Sequence, residues 1–434
     1  MIARVAVLTA AVTVLAVASG PVAAAGPGPG SHCGRADRLH VPFAEHQQVS
    51  CVDELTTAGT VESGHTVEAD WTGLTQASLS QPSGVPGIQV DGYFPDSSGP
   101  STQPNTHHGW NHDAQFVLRL PDRWNGGLVV TGSPGNRRQY ANDRAIADSV
   151  LAKGYAFAAT DKGNTGPTFY HDGRRPGDAI AEWNKRVTQL AIAAKAVVAQ
   201  RYGRLPARTL AAGISNGGYL VRWQLENNPW LYDGGIDWEG TLWRASGENM
   251  FDFLPAAMRA YPAYESGSPE AHQAMLDAGF APGSEFLWPY HNQVYWDFTQ
   301  RVYREELDPT FDGDLDAGIP YCASGTPNCD ADYDYAARPA SVHRAVARIG
   351  LTGKIGKPLI TLHGTLDTLL PIARDSDVYA SMISDAGRGH LFRYHRIERG
   401  THVDGLVDVY PDKLEPIAPH FRTSFGELES WLDR

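Results

Sequence analysis

Ser215 lies in the run Gly213-Ile214-Ser215-Asn216-Gly217, with Gly218 directly after it. A serine hydroxyl is a poor nucleophile at neutral pH and needs an imidazole base held by a carboxylate. The G-x-S-x-G spacing suits a strained strand-to-helix turn, with glycines where backbone and helix approach closely. Alone, the pentapeptide is a weak signal in a chain with 45 glycines. Its weight comes from partners further along. His363-Gly364-Thr365-Leu366-Asp367, ending at Pro371, offers a carboxylate at Asp367, and Gly400-Thr401-His402 offers a base. Asp375 and Asp377 fall in the next expected helix and read as solvated, while Glu398 is too near His402 in sequence. Among the other late histidines, His363 belongs to the acid's own motif, His390 precedes a strand and His395 lies inside it. Charge on a tetrahedral intermediate would be met by the backbone N–H of Asn216 and a second N–H from the loop Thr131-Gly132-Ser133-Pro134-Gly135-Asn136. Proline has no N–H, so Ser133 or Gly135 is the expected donor.

These residues need a scaffold that brings three distant loops together. Phe116 to Leu120, Leu128 to Val130, Tyr155 to Ala159, Thr209 to Ala212, Pro358 to Leu362 and Leu391 to Ile397 read as strands. Between them, Arg144 to Lys153, Val187 to Arg201 and Tyr219 to Glu226 have helical spacing. Strands alternating with helices imply a mostly parallel sheet covered on both faces. With the serine turn after a strand and the order Ser, acid, His, the expected fold is that of an α/β-hydrolase. The alternation stops after Ile236. Residues 240–345 read as a helical, aromatic-rich lid inserted into a core of 114–239 and 346–434. Residues 26–113, rich in Gly, Pro, Ser and Thr, read as an irregular or β extension.

Residues 1–25 read as a secretory signal: Arg4, an apolar run from Val5 to Ala18, then small residues to Ala25. That run is shorter than the ~20 residues of a membrane span, so the expectation is a secreted protein with no membrane partner. The net charge of −13 argues against nucleic acid, which needs a basic footprint. Cys33, Cys51, Cys322 and Cys329 are an even set in an exported chain and imply two disulfides. Three connectivities exist, of which Cys33–Cys51 with Cys322–Cys329 is the simplest.

Weaker signals remain. Asp161, Trp238 and Glu239 sit at expected strand ends, where ligands bind in such sheets, and are tentative substrate contacts. The aromatic run Phe286 to Tyr303 reads first as lid core and second as a stacking surface for a flat substrate. Asp312-x-Asp314-x-Asp316 offers carboxylates of the kind Ca²⁺ takes, but Ala317 and Ala323 replace the glycine and glutamate of an EF-hand. It reads as a solvated acidic turn, with lid Ca²⁺ the alternative. His107, His108 and His112 lack the pattern of a zinc site. No cofactor or metal is otherwise expected.

Several segments together resemble the tannase/feruloyl esterase family of α/β-hydrolases. Phe116-Val117-Leu118-Arg119-Leu120-Pro121 with Trp124-Asn125-Gly126 is similar to the family's entry strand. Lys153-Gly154-Tyr155 through Thr160-Asp161, with Gly163 and Gly166, resembles its R-G-Y-A-x-x-x-T-D-x-G segment. Tyr232-Asp233-Gly234 is similar to the Y-D-G after the serine turn, and Asp308-Pro309-Thr310-Phe311 with Asp314-Leu315 to the end of its lid. The resemblance implies a secreted carboxylic ester hydrolase working through an acyl-enzyme on phenolic or aromatic esters. The Ser-Asn-Gly-Gly run is also similar to hydrolases of hydroxybutyrate oligomers, which makes a polyester hydrolase the alternative. A serine peptidase and a non-catalytic binding module stand further off. One departure is plain. The family's best-known members keep a cysteine before the serine and another after the histidine, and this chain has Ile214 and Val403 there.

Overall fold

In the computed structural model, residues 33–34, 36–96, 104–311 and 330–434 are described. The expected leader, Cys322, Cys329 and the acidic run at Asp312, Asp314 and Asp316 therefore lie outside the described residues. A nine-stranded sheet organises the molecule: β1 (His46–Val52), β2 (Gly87–Tyr93), β3 (Gln115–Pro121), β4 (Gly127–Gly132), β5 (Ala156–Thr160), β6 (Arg208–Ile214), β7 (Gly234–Trp238), β8 (Leu359–Gly364) and β9 (Phe392–Ile397). Its order is β1-β2-β3-β5-β4-β6-β7-β8-β9. The first four strands across pair antiparallel, and from β5 through β9 all pairs are parallel. The chain has the mostly parallel α/β-hydrolase architecture, and the N-terminal extension adds β1 and β2 to the same sheet. Cys33 and Cys51 are bridged, which fastens the start of the described chain to β1. Closing a loop of that length is worth about 3 kcal/mol.

Helices follow the strands: α1 (Thr57–Thr60), α2 (Asp148–Ala152), α3 (Asp178–Tyr202), α4 (Asn216–Asn227), α5 (Met250–Glu265), α6 (Pro269–Asp277), α7 (Trp288–Val294), α8 (Trp296–Leu307), α9 (Ala340–Ile349), α10 (Ser376–Asp385) and α11 (Ala418–Leu432). Successive strand residues face opposite ways, so each central strand feeds two cores. Leu128 and Val130 join the apolar cluster that takes in α3 and α4, while Val129 joins the one that takes in α11. Helix α3 begins nine residues before the apolar spacing predicts. Its first turns bury Glu182 and Arg186, which are 2.7 Å apart, so the helix reads as polar where it is already packed. Helices α5 to α9 all fall between β7 and β8.

Candidate active site

At the end of β6 the backbone makes a turn that few residues tolerate. Ser215 has φ 57° and ψ −120°, and α4 starts at the next residue. A Cβ on Gly213 would stand 2.3 Å from the carbonyl of Gly217, and one on Gly217 would stand 2.5 Å from the carbonyl oxygen of Gly132. Side chains are excluded at both positions, which is the steric content of the G-x-S-x-G spacing.

The acid and base arrive through a second glycine contact that spacing alone does not reveal. A Cβ on Gly364, at the end of β8, would lie 2.3 Å from the carbonyl carbon of Gly400. Two main-chain hydrogen bonds, Leu366 N–H to Gly400 O and Thr365 N–H to Ile397 O, bind the loops together. His402 then lies with Nδ1 2.8 Å from Asp367 Oδ2 and Nε2 3.0 Å from Ser215 Oγ. Because the carboxylate can only accept, Nδ1 carries the proton, leaving Nε2 to accept from the serine hydroxyl. Asp367 is held by the amides of Leu369 and Leu370, at 2.7 and 2.9 Å. Burial opposes ionisation of both groups. In Asp367 it is outweighed by His402 and His363, and its carboxyl falls well below the usual range. In His402 it is outweighed chiefly by Asp367, and the ring's proton affinity rises.

Behind Ser215, His402 and Asp367 runs a buried polar chain. Arg222 on α4 pairs with Asp237 at 2.6 Å and Asp375 at 2.8 Å, and donates to Ser376. Ser376 Oγ contacts His363 Nδ1, and His363 Nε2 lies 3.3 Å from Asp367. Asp375 is thus a buried partner just before α10, not a solvated residue, because its carboxylate also accepts the N–H of Leu242.

The expected oxyanion and substrate residues fare unequally. Asn216 sits at the first turn of α4, with Nδ2 donating to Gly135 O at 3.1 Å and to the Tyr303 hydroxyl. Gly135 lines the cavity that holds Ser215. Ser133 is a correction: its N–H donates to Thr160 O, continuing the β4–β5 ladder, and its hydroxyl is engaged by Arg137 O and Lys162. The three tentative substrate residues are corrections as well, since none lines the cavity. Asp161 is fully buried, accepting from Asn105, Gln115 and Gly163. Strand alternation sends Trp238 into the core on the α11 side, where its ring meets Phe421. Glu239, at φ 50°, turns inward toward His402, with Oε2 3.3 Å from Nδ1.

The cavity measures about 490 Å³. Its floor is Ser215, Asn216 and His402, and its far wall is the lid: Tyr290, Tyr295, Phe298 and Tyr303, with Phe169 beside them. The aromatic run therefore divides, for Trp288 and Trp296 are wholly buried, with the Trp296 indole N–H donating to Thr368 O. His291 and Arg137 also line the cavity and were not singled out by spacing. Burial pushes the His291 imidazole down to about 4, so it is a neutral polar group at pH 7. Among the described residues the one grouping of three close metal-type ligands is Glu239, Asp367 and His402, the group beside Ser215. His107, His108 and His112 instead contact Asp70, Tyr140 and Asp96 respectively.

Residues 102–237 match the family model for tannase and feruloyl esterase. The likeness supports a hydrolase acting on esters, and the matched stretch holds Ser215 but ends before Asp367 and His402. An esterase from Aspergillus oryzae shares the fold at 13% identity, over 86% of this chain and 82% of that chain, with a TM-score of 0.53. Feruloyl esterase B from Aspergillus oryzae does so at 11% identity, with the same two coverages and a TM-score of 0.53. No curated protein matches the sequence. Where the tannase/feruloyl esterase resemblance leads one to look for a cysteine pair, Ile214 is buried in the apolar cluster on the α11 side and Val403 packs against it. No helix among the described residues is long and apolar enough to cross a membrane.

Proposed function

We propose that the chain is an exported serine esterase that cleaves esters of aromatic acids through an acyl-enzyme on Ser215. The observation that carries this reading is the hydrogen-bonded run Ser215–His402–Asp367 opening into an aromatic-walled cavity. In the reaction, Ser215 Oγ attacks the ester carbonyl as His402 Nε2 takes its proton. The negative oxygen is met by the amides of Asn216 and Gly135, and His402 then protonates the leaving alcohol. Water repeats the sequence to release the acid. Tyr290, Tyr295 and Phe298 suit a flat ring, since offset and edge contacts between rings add about 0.5–1.5 kcal/mol to burial. Export is supported by the leader-like first 25 residues and the Cys33–Cys51 bridge.

A hydroxyalkanoate-oligomer hydrolase is the second reading. It is favoured by Arg137, which lines the cavity and donates to the main-chain carbonyls of Ala69 and Asp70. A free carboxylate at an oligomer's end would suit that guanidinium. A panel of hydroxycinnamate methyl esters, galloyl esters, hydroxybutyrate oligomers and peptides decides between them. Preference for the aromatic esters is expected. Turnover of the oligomers alone would overturn the aromatic assignment, and turnover of peptides alone would overturn the esterase.

A further inference from the structure

One ionisable side chain near the site has no task in the mechanism above. Glu239 is wholly buried, and its Oε1 accepts the N–H of Gly364, which ties the end of β7 to the loop that carries Asp367. Its other oxygen, Oε2, is buried without a hydrogen-bond partner and stands 3.3 Å from His402 Nδ1, the same nitrogen that Asp367 Oδ2 meets at 2.8 Å. His402 therefore has two carboxyl groups on one edge of its ring, from two neighbouring strands. A buried carboxyl with one idle oxygen is costly when an amide or apolar side chain would fill the space.

We propose that Glu239 is a positioning residue, a second acid for His402 that shares the Nδ1–H with Asp367 and can take over its role. The inference rests on the Ser215–His402–Asp367 reading given above. Three titratable groups face Glu239: Asp367, His363 and His402. Burial and the Asp367 charge push the Glu239 carboxyl up to about 8, against the two histidines. In the intact site it is thus neutral at pH 7, and Asp367 carries the charge. When Asp367 loses its charge, a main cause holding Glu239 neutral disappears. Glu239 then ionises at lower pH and becomes the acceptor for Nδ1–H.

The test uses the full chain and the variants Asp367→Asn and Asp367→Asn/Glu239→Gln. Where a triad acid is replaced by its amide and nothing substitutes for it, the loss is about 10⁴ in kcat, because the imidazole adopts the wrong tautomer. Here Asp367→Asn should retain roughly 10-fold more activity than the double variant, by non-additivity of groups that act together. The acid limb of its rate should also lie at higher pH than that of the double variant, because an ionised Glu239 favours the protonated His402 ring. A proton NMR measurement on Asp367→Asn alone guards against a double variant that does not fold. A low-field Nδ1–H resonance of His402 should persist, titrating with the rate. Equal activities in the two variants, or loss of that resonance in a folded Asp367→Asn, would overturn the second-acid assignment. Neither outcome touches the nucleophile, which fails if Ser215→Ala retains turnover.

Discussion

The cavity has two walls built on different principles. The sheet-end wall comes from the loops after β6, β8 and β9, where Gly213 meets Gly217 and Gly364 meets Gly400 so closely that no added atom fits. The lid wall, from α7 and α8, is made of side chains, and two of its members, Tyr290 and Val294, remain 36% and 38% exposed. On the first wall the backbone sets where reacting atoms stand. On the second, side-chain shape sets what fits. Substitutions on the sheet-end wall should therefore strike kcat, and those on the lid wall should strike KM.

Among residues outside the Ser215, His402, Asp367 and Glu239 set, the largest effect is expected from Gly364→Ala. Its methyl cannot be placed without parting the acid and base loops, and a displacement of about 1 Å at a reacting group costs about 100-fold in rate. A kcat within a few-fold of the parent would break the comparison. Phe298→Ala on the lid wall should raise KM for a hydroxycinnamate ester roughly tenfold with kcat little changed, the signature of lost uniform binding. A fall in kcat alone would place this ring at the chemistry. Tyr303→Phe should do less than either, and through kcat. Its hydroxyl accepts from Asn216 Nδ2 and so links α8 to the serine turn, and losing one neutral hydrogen bond costs about 1 kcal/mol, a few-fold in kcat. The smallest effect is a shift in pH. Because Asp367 favours the protonated ring, the acid limb of kcat/KM should lie above the ordinary histidine value of about 6.5. Phe298→Ala should leave that limb in place.

The two walls also differ in how far the sequence discloses them. Ser215, Asp367 and His402 can be picked out because a strained turn must be written in glycines and because the order Ser, acid, His survives any lid insertion. The parallel sheet is legible for the same local reason, apolar strands spaced by helices. What escapes is contact across distance and the direction in which a side chain points. Nothing in the sequence pairs Gly364 with Gly400. Trp238 and Glu239 were placed together at a strand end, yet alternation sends one to the core and the other to His402. Ser133 lies in the right loop, but a sheet hydrogen bond claims its amide. In the lid, one aromatic spacing serves both for Trp288 and Trp296, which pack inward, and for Tyr290, Tyr295 and Phe298, which face the cavity. Helical periodicity names a face but not its neighbour.

A direct test of the central claim is covalent capture of the nucleophile. The purified chain is treated with a fluorophosphonate, the adduct is mapped by mass spectrometry, and turnover of a short p-nitrophenyl ester is followed in parallel. The account predicts a single adduct on Ser215, its loss in His402→Ala, and turnover in Ser215→Ala reduced by at least ~10⁴. An adduct on any other serine, or a Ser215→Ala chain that still turns the ester over, would contradict it.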